Sequence, residues 1–221
     1  MKLHFSSGSP YARKVRIVLL EKGLPFTPAI RDGVPLSDAW PGPTRAVPVL
    51  EDREQTIWES DLIVDYLMRT YPDAKGPVQD PPLAPWLARP DRHWEDMTTL
   101  ATISTCAHSM INLRFMAGDG ITPENSDYLV QQRARVNESL DWLENKVTEE
   151  GFVPGWFSIM DIAFICPMVY CEKRAVMNWR GRPKLERLYE RYQTRPSMLA
   201  TPLPDAPPVR SRYVVERKLA S

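Results

Sequence analysis

Residues 6–16 read SSGSPYARKVR, and a short strand candidate at residues 2–5 comes directly before them. Ser9 fits the N-cap of a helix, and Pro10 fits the first helical position, where the missing proline N–H costs nothing. The apolar residues that follow recur at helical spacing, and Gly23 is typical of a helix end. The segment therefore predicts a strand, a tight turn and a helix that begins at a hydroxyl group.

The sequence up to about residue 70 adds three strands and a second helix to this beginning. Residues 26–30 predict a second strand, and residues 47–50 and 55–58 predict a hairpin with a tight turn between its strands. A helix is predicted from Ser60. The order is β-α-β followed by β-β-α. Residues 72–90 then contain six prolines and little periodic pattern, which indicates a linker.

Everything after the linker has the periodicity of helices. The predicted helices are about 91–117, 123–147, 159–177 and 183–194. We therefore predict an α/β domain at residues 1–76, a linker at 77–90 and an all-helical domain at 91–221.

Composition indicates an ordinary globular protein. The 28 Lys and Arg residues balance the 28 Asp and Glu residues, so no excess charge attracts nucleic acid or an acidic membrane. The three cysteines are few and unpatterned, which favours reduced thiols in the cytoplasm. The start lacks an apolar signal segment, and no spacing of His and Cys suggests a metal site. We expect a cytoplasmic protein without a metal, a nucleic acid or a membrane as partner.

The hydroxyl of Ser9 is the first candidate for chemistry. At a helix N-terminus it lies beside unpaired backbone N–H groups, where an anion such as a thiolate is stabilised. Lowering the pKa of a thiol from about 8.5 to roughly 6.5 takes about 2.7 kcal/mol. One hydrogen bond to a charged group supplies roughly 1.5–3 kcal/mol. Ser9 can therefore activate a thiol, although by itself the pattern also fits a simple helix cap.

Val47-Pro48 is the second candidate. A proline at the start of a strand cannot donate to the sheet. If its peptide bond is cis, the N–H and C=O of Val47 turn outward and can pair with an extended peptide. A proline that merely opens the strand is the alternative.

Glu59-Ser60-Asp61 is the third candidate, because acidic and hydroxyl groups meet where a strand becomes a helix. Ser60 can bind a carboxylate, and Glu59 or Asp61 can bind an ammonium group. Such a pair suits the head group of an α-amino acid. The alternative is a helix cap flanked by solvated acids.

Together these motifs name a family. The order and spacing of SPYARKVR, VPVL and ESD before an apolar helix closely resemble the N-terminal domain of glutathione transferases. The segment from Ser158 to Asp161 is similar to the capping box that this family keeps in its helical domain. The resemblance implies a thioredoxin-like α/β domain followed by an all-α domain, with glutathione as the co-substrate.

The resemblance also implies residue roles. Ser9 takes the place of the thiol-activating serine, with Tyr11, Ser6 and Ser7 as possible substitutes. The implied glutathione contacts are Val47, Pro48, Glu59, Ser60, Asp61, Arg45 and Trp40. The loop at residues 39–44 differs from the Asn-Pro segment that is common in the family. Position alone suggests a second-substrate pocket formed by Tyr11, Met97, His108 and Phe115, with His93, Met110 and Arg114 as further candidates.

The resemblance implies an enzyme in which the thiolate of glutathione attacks a small hydrophobic electrophile. Conjugation, dehalogenation, ether cleavage and isomerisation share that step. The alternative is a non-enzymatic glutathione-binding or regulatory scaffold. A reductase is disfavoured, because no cysteine precedes Cys106. Relatives are commonly homodimers, so we expect one here. The tail at residues 204–213 is a candidate cover for the pocket.

Overall fold

The computed structural model describes residues 1–34, 39–86 and 88–205. Its first part is a four-stranded sheet in the order β2-β1-β3-β4, in which β1 runs parallel to β2 and antiparallel to β3. This confirms the predicted succession of strands and helices. The elements are β1 (Lys2–Phe5), α1 (Pro10–Glu21), β2 (Thr27–Ile30), β3 (Val49–Asp52), β4 (Gln55–Trp58) and α2 (Ser60–Thr70).

The third strand begins two residues later than predicted. Val49 is the first residue in register, opposite His4 of β1. Pro48 has no N–H to donate to the ladder, and the bond between Val47 and Pro48 is cis. The strand pair therefore begins after the proline, and Val47 is left outside the sheet.

The second part is helical, as predicted. A 3₁₀ turn at Pro90–Arg92 leads into it. The helices are α3 (His93–Gly118), α4 (Asp127–Lys146), α5 (Ile159–Lys173), α6 (Pro183–Arg191) and the short α7 (Pro196–Leu199). The end of α5 precedes the predicted end at residue 177, because Ala175 adopts a left-handed conformation with φ 48° that a continuing helix does not allow.

Helix α5 joins the two parts of the molecule. Twelve of its fifteen residues are buried, Pro167 among them, and it packs against both α1 and α3. At its start, Ser158 Oγ accepts from the N–H of Asp161, and Asp161 accepts in return from the N–H of Ser158 at 2.6 Å. The predicted capping box is therefore present. Helix α5 thus packs against the helix whose N-cap is Ser9.

In the part of the chain that the structure describes, no helix is long and apolar enough to cross a membrane. The three cysteines are unpaired and buried, and burial raises their thiol pKa values, to about 12 for Cys106 and about 11 for Cys166 and Cys171. None of them is prepared to act as a nucleophile. The predicted division at residues 1–76, 77–90 and 91–221 remains our proposal.

Candidate active site

Ser9 is the N-cap of α1, as the sequence predicted. Its extended backbone (φ −85°, ψ 121°) lets Oγ accept from the N–H of Ala12 at 3.2 Å, and Pro10 occupies the first helical position. The side chain is half-buried, and its hydroxyl proton goes to no acceptor among the described residues. Ser9 therefore combines a fixed oxygen with a proton that is available for an incoming anion.

Asp32 engages the hydroxyl of Ser6 and the backbone of Ser7. Ser6 Oγ donates to Asp32 at 2.5 Å, and the N–H of Ser7 donates to the same carboxylate at 3.1 Å. The N–H of Ser9 donates to the carbonyl of Ser6 at 3.1 Å, which closes the turn between β1 and α1. Asp32 thus holds the turn in shape, and of the three serines only Ser9 has its hydroxyl at the helix N-terminus.

Tyr11 lies two residues after Ser9, but its hydroxyl is in different surroundings. That hydroxyl is buried without a hydrogen-bond partner among the described residues, and the ring packs against His108 with 5.2 Å between ring centroids. Burial, followed by the charges of Asp61, Tyr170 and Glu59, raises the pKa of Tyr11 far above its ordinary value. Tyr11 is therefore a neutral phenol at the contact between α1 and α3.

The peptide group of Val47 is free to pair with a ligand. Neither its N–H nor its C=O forms a hydrogen bond within the part of the chain that the structure describes. Pro48 beside it is buried and fixes the backbone at the start of β3. An extended peptide lying along this edge could form both hydrogen bonds, as the sequence suggested.

The N-terminus of α2 is a second place where an anion could bind. Glu59 is the N-cap with φ 69°, a strained value for a residue with a side chain, and its exposed carboxylate does not cap the helix. Ser60 follows as the first helical residue and is 6% exposed. The unpaired N–H groups of this helical turn suit a carboxylate, and Glu59 suits an ammonium group.

Asp61 is already engaged, which the sequence did not reveal. It forms an ion pair with the buried Lys14 of α1, and Ser104 Oγ of α3 donates to it at 2.7 Å. Burial alone would raise the pKa of Asp61, but Lys14 and Ser104 together lower it below its ordinary value. Asp61 therefore joins α1, α2 and α3 as an ionised carboxylate, and a ligand would share it with Lys14.

Trp40 and Arg45 lie in the loop before β3. The guanidinium of Arg31 stacks on the ring of Trp40 with 4.6 Å from Cζ to the centroid, and the indole N–H is buried without a partner among the described residues. Arg45 is exposed with φ 50° and makes no ion pair with any of them. Both remain candidates for the glycyl end of glutathione.

The predicted second-substrate residues do not form one cluster. His108 is exposed beside Tyr11, whereas Met97 lies eleven residues earlier on α3, about 16 Å along the helix. Met97 lines a separate small crevice together with Trp86. Phe115 is 57% exposed near the other end of α3. The structure brings Tyr11 and His108 together at one place, and Met97 together with His93, a further candidate, at another.

Two residues at the C-terminal end of α5 were not found by the sequence reasoning. Tyr170 is buried and close enough to raise the pKa of Tyr11, and Arg174 caps the C-terminal end of α5. A Cβ atom built on Gly8 would lie 3.7 Å from Nη2 of Arg174. No local pattern indicated this, because the contact arises from the packing of α5 on α1. Within the described residues, no group of acidic, His and Cys side chains could hold a metal ion.

Comparisons with known proteins agree with this geometry. A family model described as the glutathione S-transferase N-terminal domain matches residues 3–77. The chain is 30% identical over 217 residues to the uncharacterized GST-like protein YibF of Escherichia coli, covering 93% of this chain and 100% of YibF.

Two solved structures share the whole architecture. A glutathione S-transferase of Methylobacterium radiotolerans, crystallised with glutathione sulfonate, has a TM-score of 0.75 at 28% identity and covers 96% of this chain and 99% of its own. A glutathione transferase family member of Pseudomonas fluorescens, with bound S-(propanoic acid)-glutathione, has a TM-score of 0.72 at 27% identity. That match covers 92% of this chain and 100% of its own. The similarity extends over both the sheet and the helices.

Proposed function

Because the chain belongs to the glutathione S-transferase family, we propose that it is a glutathione transferase that uses Ser9 to hold the thiol as a thiolate. The observation that carries the proposal is the Ser9 hydroxyl, whose oxygen is fixed by the N–H of Ala12 while its proton is free for a sulfur anion. The bound derivatives in the two solved relatives support glutathione as the co-substrate.

We assign the remaining contacts by following glutathione from its γ-glutamyl end to its glycyl end. We assign the γ-glutamyl head to Glu59 and Ser60, and the cysteinyl backbone to the free peptide group of Val47 beside Pro48. Asp61 contributes charge at the same end, and Arg45 and Trp40 serve the glycyl end. In this arrangement the sulfur lies at the N-terminus of α1, where the helix dipole and a hydroxyl both favour the anion.

The second substrate is a small hydrophobic electrophile. The thiolate sulfur forms a bond with its electrophilic carbon, and the leaving group departs with the electron pair of the bond that breaks. Tyr11 and His108 flank the N-terminal end of α1 and offer an aromatic wall for this substrate. Met97 and Phe115 would take part only if the substrate extends along α3.

The decisive experiment is the ultraviolet difference spectrum of glutathione bound near neutral pH. Wild type should show the thiolate band, and Ser9→Ala should bind glutathione but lose most of that band. Tyr11→Phe is the matched control, because it also removes one hydroxyl from the first turn of α1. A full thiolate band in Ser9→Ala would refute the assignment, and wild-type binding without any thiolate would favour a non-enzymatic scaffold.

We also propose a cytoplasmic homodimer. Leu62 of α2 is 59% exposed and Trp94 of α3 is 79% exposed, so both parts of the chain present large apolar side chains that a second copy could cover. Sedimentation at micromolar concentration should give twice the mass of the chain. A monomeric mass would contradict the dimer and leave the assignment of Ser9 untouched.

A further inference from the structure

Arg174 lies beside the candidate thiol site, close to Gly8, and has no anionic partner in the part of the chain that the structure describes. Its Nη2 donates to the carbonyl of Pro204 at 3.0 Å, and its guanidinium lies 5.6 Å from the ring centroid of Tyr170. Nη1 is buried and has no partner among the described residues, and none of their carboxylates forms an ion pair with Arg174. A buried guanidinium N–H without an acceptor is costly, so the position favours an anionic ligand.

The charged residues next to Arg174, at the end of α5, both have partners. Glu172 pairs with Arg180 and accepts from Tyr189, and Lys173 pairs with Asp205 at 3.4 Å. On α1, Lys14 pairs with Asp61, whereas Arg13 donates to the carbonyls of Thr201 and Met198 and forms no ion pair with a described residue. Of the three consecutive charged residues at the end of α5, Glu172, Lys173 and Arg174, Arg174 is thus the one that forms no ion pair with a described residue.

From its position, Arg174 would contact the second substrate rather than glutathione. Its guanidinium approaches Gly8, the residue before Ser9, from the helical half of the molecule. The candidates for the glycyl carboxylate, Trp40 and Arg45, belong instead to the loop before β3. A group bound to Arg174 would therefore lie close to the sulfur, on the side of the molecule that carries Tyr170 and His108.

We propose that Arg174 binds a carboxylate carried by the electrophilic substrate, so that the preferred acceptors are anionic. This inference rests on the proposed function. For an activated aryl chloride that bears a carboxylate, the thiolate sulfur would bond to the ring carbon, and chloride would leave with the electron pair of the C–Cl bond. Arg174 would hold the carboxylate and orient the ring, and Ser9 would stabilise the attacking sulfur.

Two ligands that differ by a single charge test the inference. The two ligands are S-(4-carboxy-2,6-dinitrophenyl)glutathione and the methyl ester of its aryl carboxylate. The rest of the conjugate is the same in both. Calorimetry on wild type should give about 10- to 100-fold tighter binding of the carboxylate than of the ester, the factor that one charged hydrogen bond provides. In Arg174→Gln this ratio should fall to near 1. Arg174→Lys, which retains the charge, should give an intermediate ratio.

Lys173→Gln is the charge-matched control and should retain the wild-type ratio, because Lys173 is turned to Leu203 and Asp205. A wild-type ratio near 1, with glutathione thiolate still formed, would overturn this inference alone. Equal losses of both conjugates in Arg174→Gln would mean that the guanidinium serves glutathione or the fold, and would also overturn it. Binding of neither conjugate by wild type would overturn the proposed function as well.

Discussion

Ser9 and Tyr11 both place a hydroxyl in the first turn of α1, and their surroundings separate their roles. The oxygen of Ser9 is held at the helix N-terminus by the N–H of Ala12. The hydroxyl of Tyr11 is buried without a partner in the described chain, and burial together with nearby acidic charge raises its pKa. A phenol with a raised pKa stays neutral at physiological pH, so no tyrosinate competes with the thiolate.

We therefore expect Tyr11→Phe to keep the thiolate band that Ser9→Ala loses. Removal of an unpaired buried hydroxyl should also raise the free energy of unfolding by about 1 kcal/mol, because its desolvation cost disappears while the ring contact with His108 remains. Urea denaturation of wild type and variant measures this difference. A destabilised Tyr11→Phe would show that the hydroxyl has a partner that stabilises the fold.

The residues that sequence could predict are those whose role depends on near neighbours in the chain. Ser9 needs only Pro10 and a helix after it, and Val47 needs only Pro48. The place of Arg174 could not be predicted in this way. Its approach to Gly8 spans 166 positions and depends on how α5 packs on α1. An arginine after an apolar helix gives no local sign of such a contact. The engagement of Asp61 by Ser104 of α3 was hidden for the same reason.

At the scale of the element, the capping box of α5 was predictable and the end of the helix was not. The box is local, because Ser158 and Asp161 are three residues apart. The end depends on the left-handed backbone of Ala175, a residue with no intrinsic preference for that conformation. The start of β3 was predicted only approximately. The strand begins two residues later than expected, because Pro48 has no N–H to donate to the sheet.

The contribution of the capping box to the free energy of unfolding can be measured. Asp161 is fully buried and accepts from the N–H groups of Phe152 and Ser158 at 3.0 and 2.6 Å. Asp161→Ala leaves both donors unsatisfied and should cost about 3 kcal/mol or more at pH 4.5, whereas Ser158→Ala should cost about 1 kcal/mol. Urea denaturation of the two variants measures both costs. Equal costs would mean that the carboxylate does no more than the hydroxyl.

The cost of Asp161→Ala should depend on pH. Burial raises the pKa of Asp161 to about 6, against about 3.9 in an unfolded chain. The folded state therefore binds the proton more tightly, and the stabilisation from this group is complete below about pH 4 and is lost as the pH rises through 6. The difference between wild type and Asp161→Ala should shrink from pH 4.5 to pH 7.5. A difference that grows with pH would contradict this assignment.

At the scale of the whole molecule, a buried ion pair joins the end of α1 to the end of the helical part. Arg195 donates to both oxygens of Glu21 at 2.7 Å and to the carbonyl of Pro81 at 2.9 Å, and Ser197 donates to the same carboxylate. The side chains of Arg195 and Glu21 are 4% and 2% exposed. Near the start of α1, Arg13 donates to the carbonyl of Thr201 at 2.8 Å. The segment around α7 is therefore fastened to the helix that carries Ser9.

Breaking this pair should be far more costly than replacing it. Glu21→Leu leaves the guanidinium of Arg195 buried without its anion and should lower the free energy of unfolding by about 3–5 kcal/mol. The double variant Glu21→Leu/Arg195→Met removes both charges, so it should regain much of that loss, because two desolvation costs disappear together. Urea denaturation of the four proteins completes the cycle. Strictly additive losses would show that the two side chains stabilise the molecule independently, and that the connection between its halves depends on other contacts, such as that of Arg13 with Thr201.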